Sequence, residues 1–345
     1  MSRRPAALVM AVVAALVTGC AGGQSPAPTG APASPGGSPD ASGDLDSAEV
    51  IIAWNSTPDE LYLPILMAVA AMQDQGYSIE AQQLPETNLV IQAMTGNQVQ
   101  FGAEGVPTGA TAIQEGAPIR IISTQNANQV VWATLPEFAD CNDLPPDEPI
   151  GIFSPEAGFT VLTNVWMDRE CPGIRETLEY LIIQDSPLRA QALAEGQISG
   201  TALGLPDALN LQREYPDRFH YVYFAEALPG IGDEHFYANQ ATLDDHPSIV
   251  RALVREQLLA QRFLYDNPDQ AMDHVERHLP DVESDTVILE FIEQRIWYAN
   301  GGLRGPGLEN TLEGLDLPGD PATMVAPDVL EDVLVEIGES DYTEF

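Results

Sequence analysis

The sequence predicts an α/β protein built as two lobes of similar construction, and three stretches carry that expectation. Residues 100–123, QFGAEGVPTGATAIQEGAPIRIIS, place a glycine-rich bend and a proline between apolar runs. They read as strand, bend, helix and second strand, which is a βαβ unit. Residues 186–207 repeat the theme, with Ser186-Pro187 opening a helix and Gly204-Leu205-Pro206-Asp207 opening the next. Third, QAMTGNQVQFGAEGVPT from Gln92 lies without a gap over QALAEGQISGTALGLPD from Gln191, matching Gly105 to Gly204 and Pro107 to Pro206. Helix end, strand and turn recur in the same order, as in two layered units of one kind.

Taken along the chain, VIIAWNS is the first strand. Thr87 is the expected cap of a helix running to Ala93 and closed by Gly96, and Val99 to Ala103 is strand-like. Thr108 to Glu115 has helical spacing, and Ile119 to Ser123 is the next strand. Gly196 closes the helix opened at Ser186, and Ile198 to Leu203 is its strand. Pro247 to Tyr265 forms a long amphipathic helix, Pro268 starts another, and Thr286 to Tyr298 a third. NGGLRGPG, with Arg304, is a connecting loop.

The chain has 345 residues, 52 acidic against 14 basic, a formal net charge of -38, and no lysine. Such a surface repels phosphate backbones and has no basic stripe to release counterions, which excludes nucleic acid as a partner. An acidic, lysine-free surface suits a salty medium, where the Debye length falls to about 3 Å at molar salt.

Arg3 and Arg4, then the apolar run Ala6 to Val17, then Val17-Thr18-Gly19-Cys20 resemble the leader and lipobox of bacterial lipoproteins. The resemblance implies a signal peptide over 1–19 and acylation of Cys20, by either Sec or Tat export. Residues 20–47 are rich in Pro, Gly, Ser and Ala and form a flexible tether. The expected location is extracytoplasmic, lipid-anchored to the outer face of the cell membrane, since two or more acyl chains hold a protein on a bilayer. Cys141 and Cys171 make an even pair in an exported chain and are expected to form a disulfide. No metal site is expected, because neither has a second Cys or a His at ligand spacing.

The strand VIIAWNS, the run IQAMTGNQVQFGAEGVPTGATAIQEGAPIRIIS, IGIFSPEAGFTVL, RAQALAEGQISGTALGLPDAL and HPSIVRALVREQLLAQRFLYDNP together resemble the solute-binding proteins of ABC importers. The likeness is to the NMT1/THI5-like group, which includes binders of thiamine precursors, nitrate, sulfonates and taurine. It implies a type 2 periplasmic-binding fold with a ligand cleft between lobes and two interlobe crossovers. It also implies lobe one over 48–128 and 228–345, lobe two over 129–227, a monomer, and partners in a small-molecule solute and ABC permease subunits.

In open parallel sheets ligands bind off the carboxyl ends of strands, where helix N-termini present unpaired N–H groups. The expected ligand contacts are therefore Trp54, Asn55 and Ser56 in the first turn, and Glu104, Gly105 and Thr108 in the second. Gln125 and Asn126 follow near the hinge, then Ser154, Glu156, Gly158 and Phe159, and finally Gly204 and Asp207, with Gly105 and Gly204 facing across a gap. None of these turns holds a basic residue, and Arg120 is the nearest cation. Glu104 and Asp207 would accept from amino groups while Trp54 and Phe159 hold a ring, which points to an amino-substituted heteroaromatic such as a thiamine-type pyrimidine. A sulfonate or nitrate held by helix N-termini, or a ligand-sensing surface lipoprotein, are the alternatives. Catalysis is not expected and no cofactor is called for. His274 and His278 are spaced H-x-E-x-H, unlike zinc-protease motifs, and neither G-x-S-x-G nor a phosphate-binding glycine loop occurs.

Overall fold

The strands fall into two separate five-stranded sheets. The computed structural model describes residues 47–345 apart from 147, 229–230, 232–233, 283–286, 304–306, 315–316, 318 and 343–345. The leader, Cys20, nearly all of the tether and Arg304 lie outside the described residues.

In chain order the elements are β1 (Val50–Trp54), α1 (Leu63–Asp74), β2 (Ile79–Gln83), α2 (Thr87–Thr95), β3 (Phe101–Gly105), α3 (Val106–Gln114) and β4 (Ile119–Asn126). Then come β5 (Val130–Thr134), β6 (Ile150–Ile152), α4 (Gly158–Glu170), β7 (Tyr180–Ile182), α5 (Ser186–Ala194), β8 (Gly200–Gly204), α6 (Leu205–Glu214), β9 (His220–Tyr223) and α7 (Phe224–Ala227). The chain ends with β10 (Glu234–Asn239), α8 (Gln240–Asp245), α9 (Pro247–Asp266), α10 (Ala271–His278), α11 (Val287–Gln294), α12 (Gly307–Gly314) and α13 (Pro327–Ile337).

One sheet has the order β2-β1-β3-β10-β4 and the other β7-β6-β8-β5-β9. In each, one strand runs antiparallel to its neighbours: β10 against β3 and β4, and β5 against β8 and β9. These two strands are the ones that enter their sheet from the other lobe. β4 ends at Asn126 and β5 begins four residues later, while α7 ends at Ala227 and β10 begins at Glu234. The chain thus crosses between lobes twice, as a type 2 periplasmic-binding fold requires.

The internal repeat is structural. β3 and β8, α2 and α5, and the starts of α3 and α6 all stand 99 residues apart. Proline sits at the start of α3 and of α6, where its missing N–H costs nothing. Most boundaries shift by a residue or two from the expected ones, β4 runs three residues further, to Asn126, and two elements differ more. Pro268 begins a single 3-10 turn before α10, and α11 stops at Gln294. After α11, Trp297 turns to bridge the edge strand at Asn126 and donates from its indole to the Leu61 carbonyl at 3.1 Å. A buried indole N–H usually finds a partner, and for Trp297 that partner lies across the lobe rather than along a helix.

Lobe one buries both faces of its sheet. α1 packs on α9 on one side, with Phe101 and Phe236 between them and the sheet, and α3 covers the other. Gly109 in α3 is required there, because a Cβ would meet the Tyr237 hydroxyl at 2.1 Å. Lobe two is centred on Trp132, Trp166 and Phe224, whose rings lie within 6 Å of one another along the chain of contacts. Beside them Cys141 and Cys171 are joined by a disulfide, Cα to Cα 6.0 Å. Among the described residues no helix is long and apolar enough to cross a membrane.

Candidate functional site

The carboxyl ends of β1, β3 and β8 and the starts of α3, α4 and α6 meet between the lobes. Gly105 ends β3, and opposite it stands Gly158, the first residue of α4. A Cβ on Gly158 would lie 3.5 Å from the Gly105 Cα. The Thr108 hydroxyl donates to the Glu156 carbonyl at 3.3 Å, joining lobe one to lobe two. The lobes are therefore shut at this point. Gly204 faces a different neighbour from the one its sequence match suggests: its Cβ position lies 3.6 Å from Gln129 Oε1 and 4.0 Å from Asp207 Oδ2.

No side chain of its own N-cap closes α3, α4 or α6. Such ends leave backbone N–H groups open. At α6 the crossover supplies a partner, since Leu205 N donates to Gln129 Oε1 at 3.2 Å.

The polar side chains form two connected acidic groups. In the first, the Asn55 amide donates to the Thr87 hydroxyl, which in turn hydrogen-bonds Glu104. Thr87 is the first residue of α2 rather than its cap, so its hydroxyl is turned to this network instead of its own helix. Ser56 donates to the Tyr62 hydroxyl at 2.7 Å, and Tyr62 donates to Glu234 Oε1 at 3.1 Å. Glu234 and Glu104 are neighbours in the antiparallel pairing of β10 with β3. Glu104 is 2% exposed, and its Oε1 has no hydrogen-bond partner among the described residues. Burial first, then the charge of Glu234, pushes its pKa well above the usual carboxylate range, against a smaller opposing effect of Thr87. His235, next on β10, is buried with both ring nitrogens unpartnered among the described residues, and burial pushes its pKa down to about 3. A neutral imidazole therefore stands in this wall.

The second group spans the lobes. Asp59, on the turn before α1, has its pKa raised well above the usual range by burial and then by Asp207 of lobe two. Asp207 is raised too, by burial, with Ser186 and Arg189 opposing. Arg189 is 2% exposed and donates to the carbonyls of Ile183 (2.8 Å) and Ala202 (3.2 Å). Burial lowers its pKa to about 10. Its charge is thus held by backbone carbonyls and by Asp207. Arg120, by contrast, is the second residue of β4 while the cleft lies at the other end of that eight-residue strand, about 20 Å away at the usual rise.

The remaining expected contacts divide in two. Trp54 is buried, its ring 5.3 Å from that of Tyr62 and its indole N–H unpartnered among the described residues. Phe159 packs against the lobe-two core. Ser154 lends its carbonyl to the turn before α4. Gln125 and Asn126 are fully buried at the crossover, with Gln125 donating to the Leu61 carbonyl and Asn126 to that of Ala127. Sequence reading missed Thr87, Asp59, Tyr62, Glu234, His235 and Arg189. Only Arg189 left a signal, as an arginine inside the repeat.

Beside the crossover, a cavity of about 190 Å³ is lined from both lobes, among others by Asn128, Leu205, Tyr223 and Tyr298. Among the described residues no group of three or more His, Cys, Asp or Glu could hold a metal ion.

Residues 72–271 match the family described as NMT1/THI5 like. The chain belongs to the NMT1/THI5-like family. Compared with curated proteins by sequence, it matches none significantly. Among solved structures, a Bordetella bronchiseptica protein superposes with a TM-score of 0.72 at 16% identity, covering 85% of this chain and 99% of its own. The ligand-binding component of an ABC-type import system from Staphylococcus aureus, solved with zinc bound, gives 0.65 at 14%, covering 82% and 98%. The periplasmic aliphatic sulphonate binding protein SsuA from Escherichia coli gives 0.60 at 11%, covering 81% and 92%. The NMT1/THI5-like chain thus has the two-lobed fold of these binding proteins, and its own side chains must be asked what it holds.

Proposed function

We propose that the protein is the solute-binding component of an ABC import system, anchored outside the cell through Cys20, and that its lobes close on a small amino-substituted heteroaromatic solute. Family and fold support binding and delivery to permease subunits, without catalysis. Within that role, the carrying observation is the buried Glu104, whose Oε1 has no hydrogen-bond partner among the described residues and whose carboxyl feels the charge of Glu234. Such a wall accepts hydrogen bonds from amino or amidine N–H groups.

A sulfonate-like anion has one observation in its favour, the helix starts at the cleft without side-chain caps. A helix dipole contributes about 0.3–1 kcal/mol to an anion. The cleft carboxyls Glu104, Asp59 and Asp207 repel an anion to the extent that they are ionised, and when protonated they still present acceptor oxygens to an N–H group. Four acidic side chains at the cleft, Glu104, Glu234, Asp59 and Asp207, favour the amino-bearing solute over the anion.

The test is a thermal-shift screen of aminopyrimidines, alkanesulfonates and nitrate, followed by calorimetry on the double variant Glu104→Ala/Asp207→Ala. The expected result is a hit among aminopyrimidines that weakens at least tenfold, about 1.4 kcal/mol, in the variant. A sulfonate hit with affinity unchanged or improved in the variant would overturn the reading.

A further inference from the structure

We infer that the single 3-10 turn Glu60–Tyr62, between β1 and α1, is a clasp that ties both interlobe crossovers to the cleft wall, so that the two pivot together and the shut form is favoured. The inference rests on the lobes opening and shutting, as the proposed function requires, and not on which solute they hold.

The turn is built to offer its groups elsewhere. Asp59 caps it, with Oδ1 accepting from Leu61 N at 2.9 Å, and Tyr62 N donates to the Asp59 carbonyl at 3.1 Å. Three residues beyond Leu61 stands Pro64, which has no N–H to give the Leu61 carbonyl. That carbonyl instead accepts from Gln125 Nε2 at 3.3 Å and from Trp297 Nε1 at 3.1 Å. Gln125 is the last residue but one of β4, where the first crossover leaves lobe one, and Trp297 bridges Asn126 beside it. The Gln125 carbonyl is held in turn by Gln261 Nε2 and Tyr298 N, each at 3.3 Å. Gln125 thus serves the crossover rather than a solute.

The second crossover is reached from the next residue. Tyr62 is 2% exposed, and its hydroxyl donates to Glu234 Oε1 at 3.1 Å, where β10 begins and the chain has just returned from lobe two. The same hydroxyl accepts from Ser56 at 2.7 Å, and on the cleft side Asp59 feels the charge of Asp207 of lobe two. Adjacent residues of one short turn therefore touch the cleft and both crossovers, across 64 and 172 residues of chain. Parting the lobes rotates the backbone where the crossovers leave lobe one. Bonds of 3.1 and 3.3 Å lie at the long end of the range, so they give first as those strand ends turn. A 3-10 turn has poorer internal hydrogen bonds than an α-helix, and once one outer bond goes the turn is free to release the other.

The experiment uses the full-length protein without solute and reads the open-to-shut ratio by interlobe fluorescence transfer. Tyr62→Phe removes the hydroxyl and keeps the ring that stands 5.3 Å from that of Trp54, while Gln125→Met removes the amide at similar length. The combined variant completes a double-mutant cycle. As a readout that needs no variant to fold, native-state hydrogen exchange on the wild type compares the opening rates of amides 127–131 and 234–236.

One clasp predicts that each single variant raises the open-to-shut ratio about threefold or more, the scale of one hydrogen bond. The double variant should exceed the larger single effect by less than about twofold, because the two bonds share one support. The opening rates at the two crossovers should agree. Effects that multiply in the double variant, or opening rates that differ by about tenfold, would show two separate local bonds and overturn the inference. An unchanged ratio in both single variants does the same. A protein whose lobes respond as expected but which binds an alkanesulfonate in the solute screen keeps the clasp and loses the proposed solute.

Discussion

Gly158 of lobe two stands against Gly105 of lobe one, so close that a Cβ on the former would lie 3.5 Å from the Cα of the latter. Each glycine adjoins a helix start, and the pair is the point at which the lobes shut. An added methyl makes ordinary van der Waals contact with Gly105 and Pro107 of lobe one, and a longer chain grown from that position is expected to press against them.

Gly158→Leu should therefore act as a wedge. Solute affinity is expected to fall at least tenfold, and the melting temperature without solute to change by less than about 2 °C, because the wedge strains the shut form and not either lobe's core. Small-angle scattering should show a larger radius of gyration. An unchanged affinity would mean that closure does not run through this contact.

Glu104 ties stability to pH. Its folded pKa is raised above the unfolded value by burial and by Glu234. The native state therefore holds a proton more tightly than the unfolded chain, and stability is lost as pH rises from the ordinary carboxylate value of about 4 through the raised one. Glu104→Gln should remove that loss: without solute the variant melts a few degrees higher at pH 8, and the difference vanishes near pH 4. The same variant should bind the amino-bearing solute about tenfold more weakly, a trade of stability for function. A variant less stable than wild type at pH 8 would contradict the argument.

Asp59 and Asp207 apply the same sign to closure. Both pKa values are raised in the shut form, partly for Asp59 by the charge of Asp207 across the cleft. The shut form is thus the better proton binder, and lowering the pH toward the carboxylate range should shift the solute-free protein toward it. Interlobe fluorescence transfer is expected to rise between pH 7.5 and pH 5 in the wild type and to stay flat in Asp59→Asn/Asp207→Asn.

The disulfide offers a check on lobe two alone. Cys141 and Cys171 are 30 residues apart, and a loop of that length contributes about 3–4 kcal/mol in the chain-entropy account. Cys141→Ser/Cys171→Ser should lower the denaturation midpoint accordingly and leave solute affinity within about twofold. A large loss of affinity would show that the linked segment shapes the cleft.

Much of the fold could be read in advance because its signals are local. Glycine and proline at fixed offsets mark βα turns, apolar periodicity marks strands and helices, and the match of Gln92 onto Gln191 marked a repeat that the structure carries through β3, α3, β8 and α6. Turn residues such as Asn55, Ser56 and Glu104 could be named for the same reason, since ligands of open parallel sheets bind off the carboxyl ends of the strands.

What the sequence by itself determined, then, is a pair of related α/β lobes joined twice, with acidic turns and an expectation of export and anchoring. Only the tertiary structure decided that Gly105 meets Gly158, that Tyr62 reaches Glu234 across 172 residues of chain, and that Asp59 faces Asp207. It also turned Thr87 away from its helix and sealed Arg189 among carbonyls. The physical reason is range. Backbone preferences act over a few residues, whereas a binding wall is set by burial and charge between segments that only the folded chain brings together.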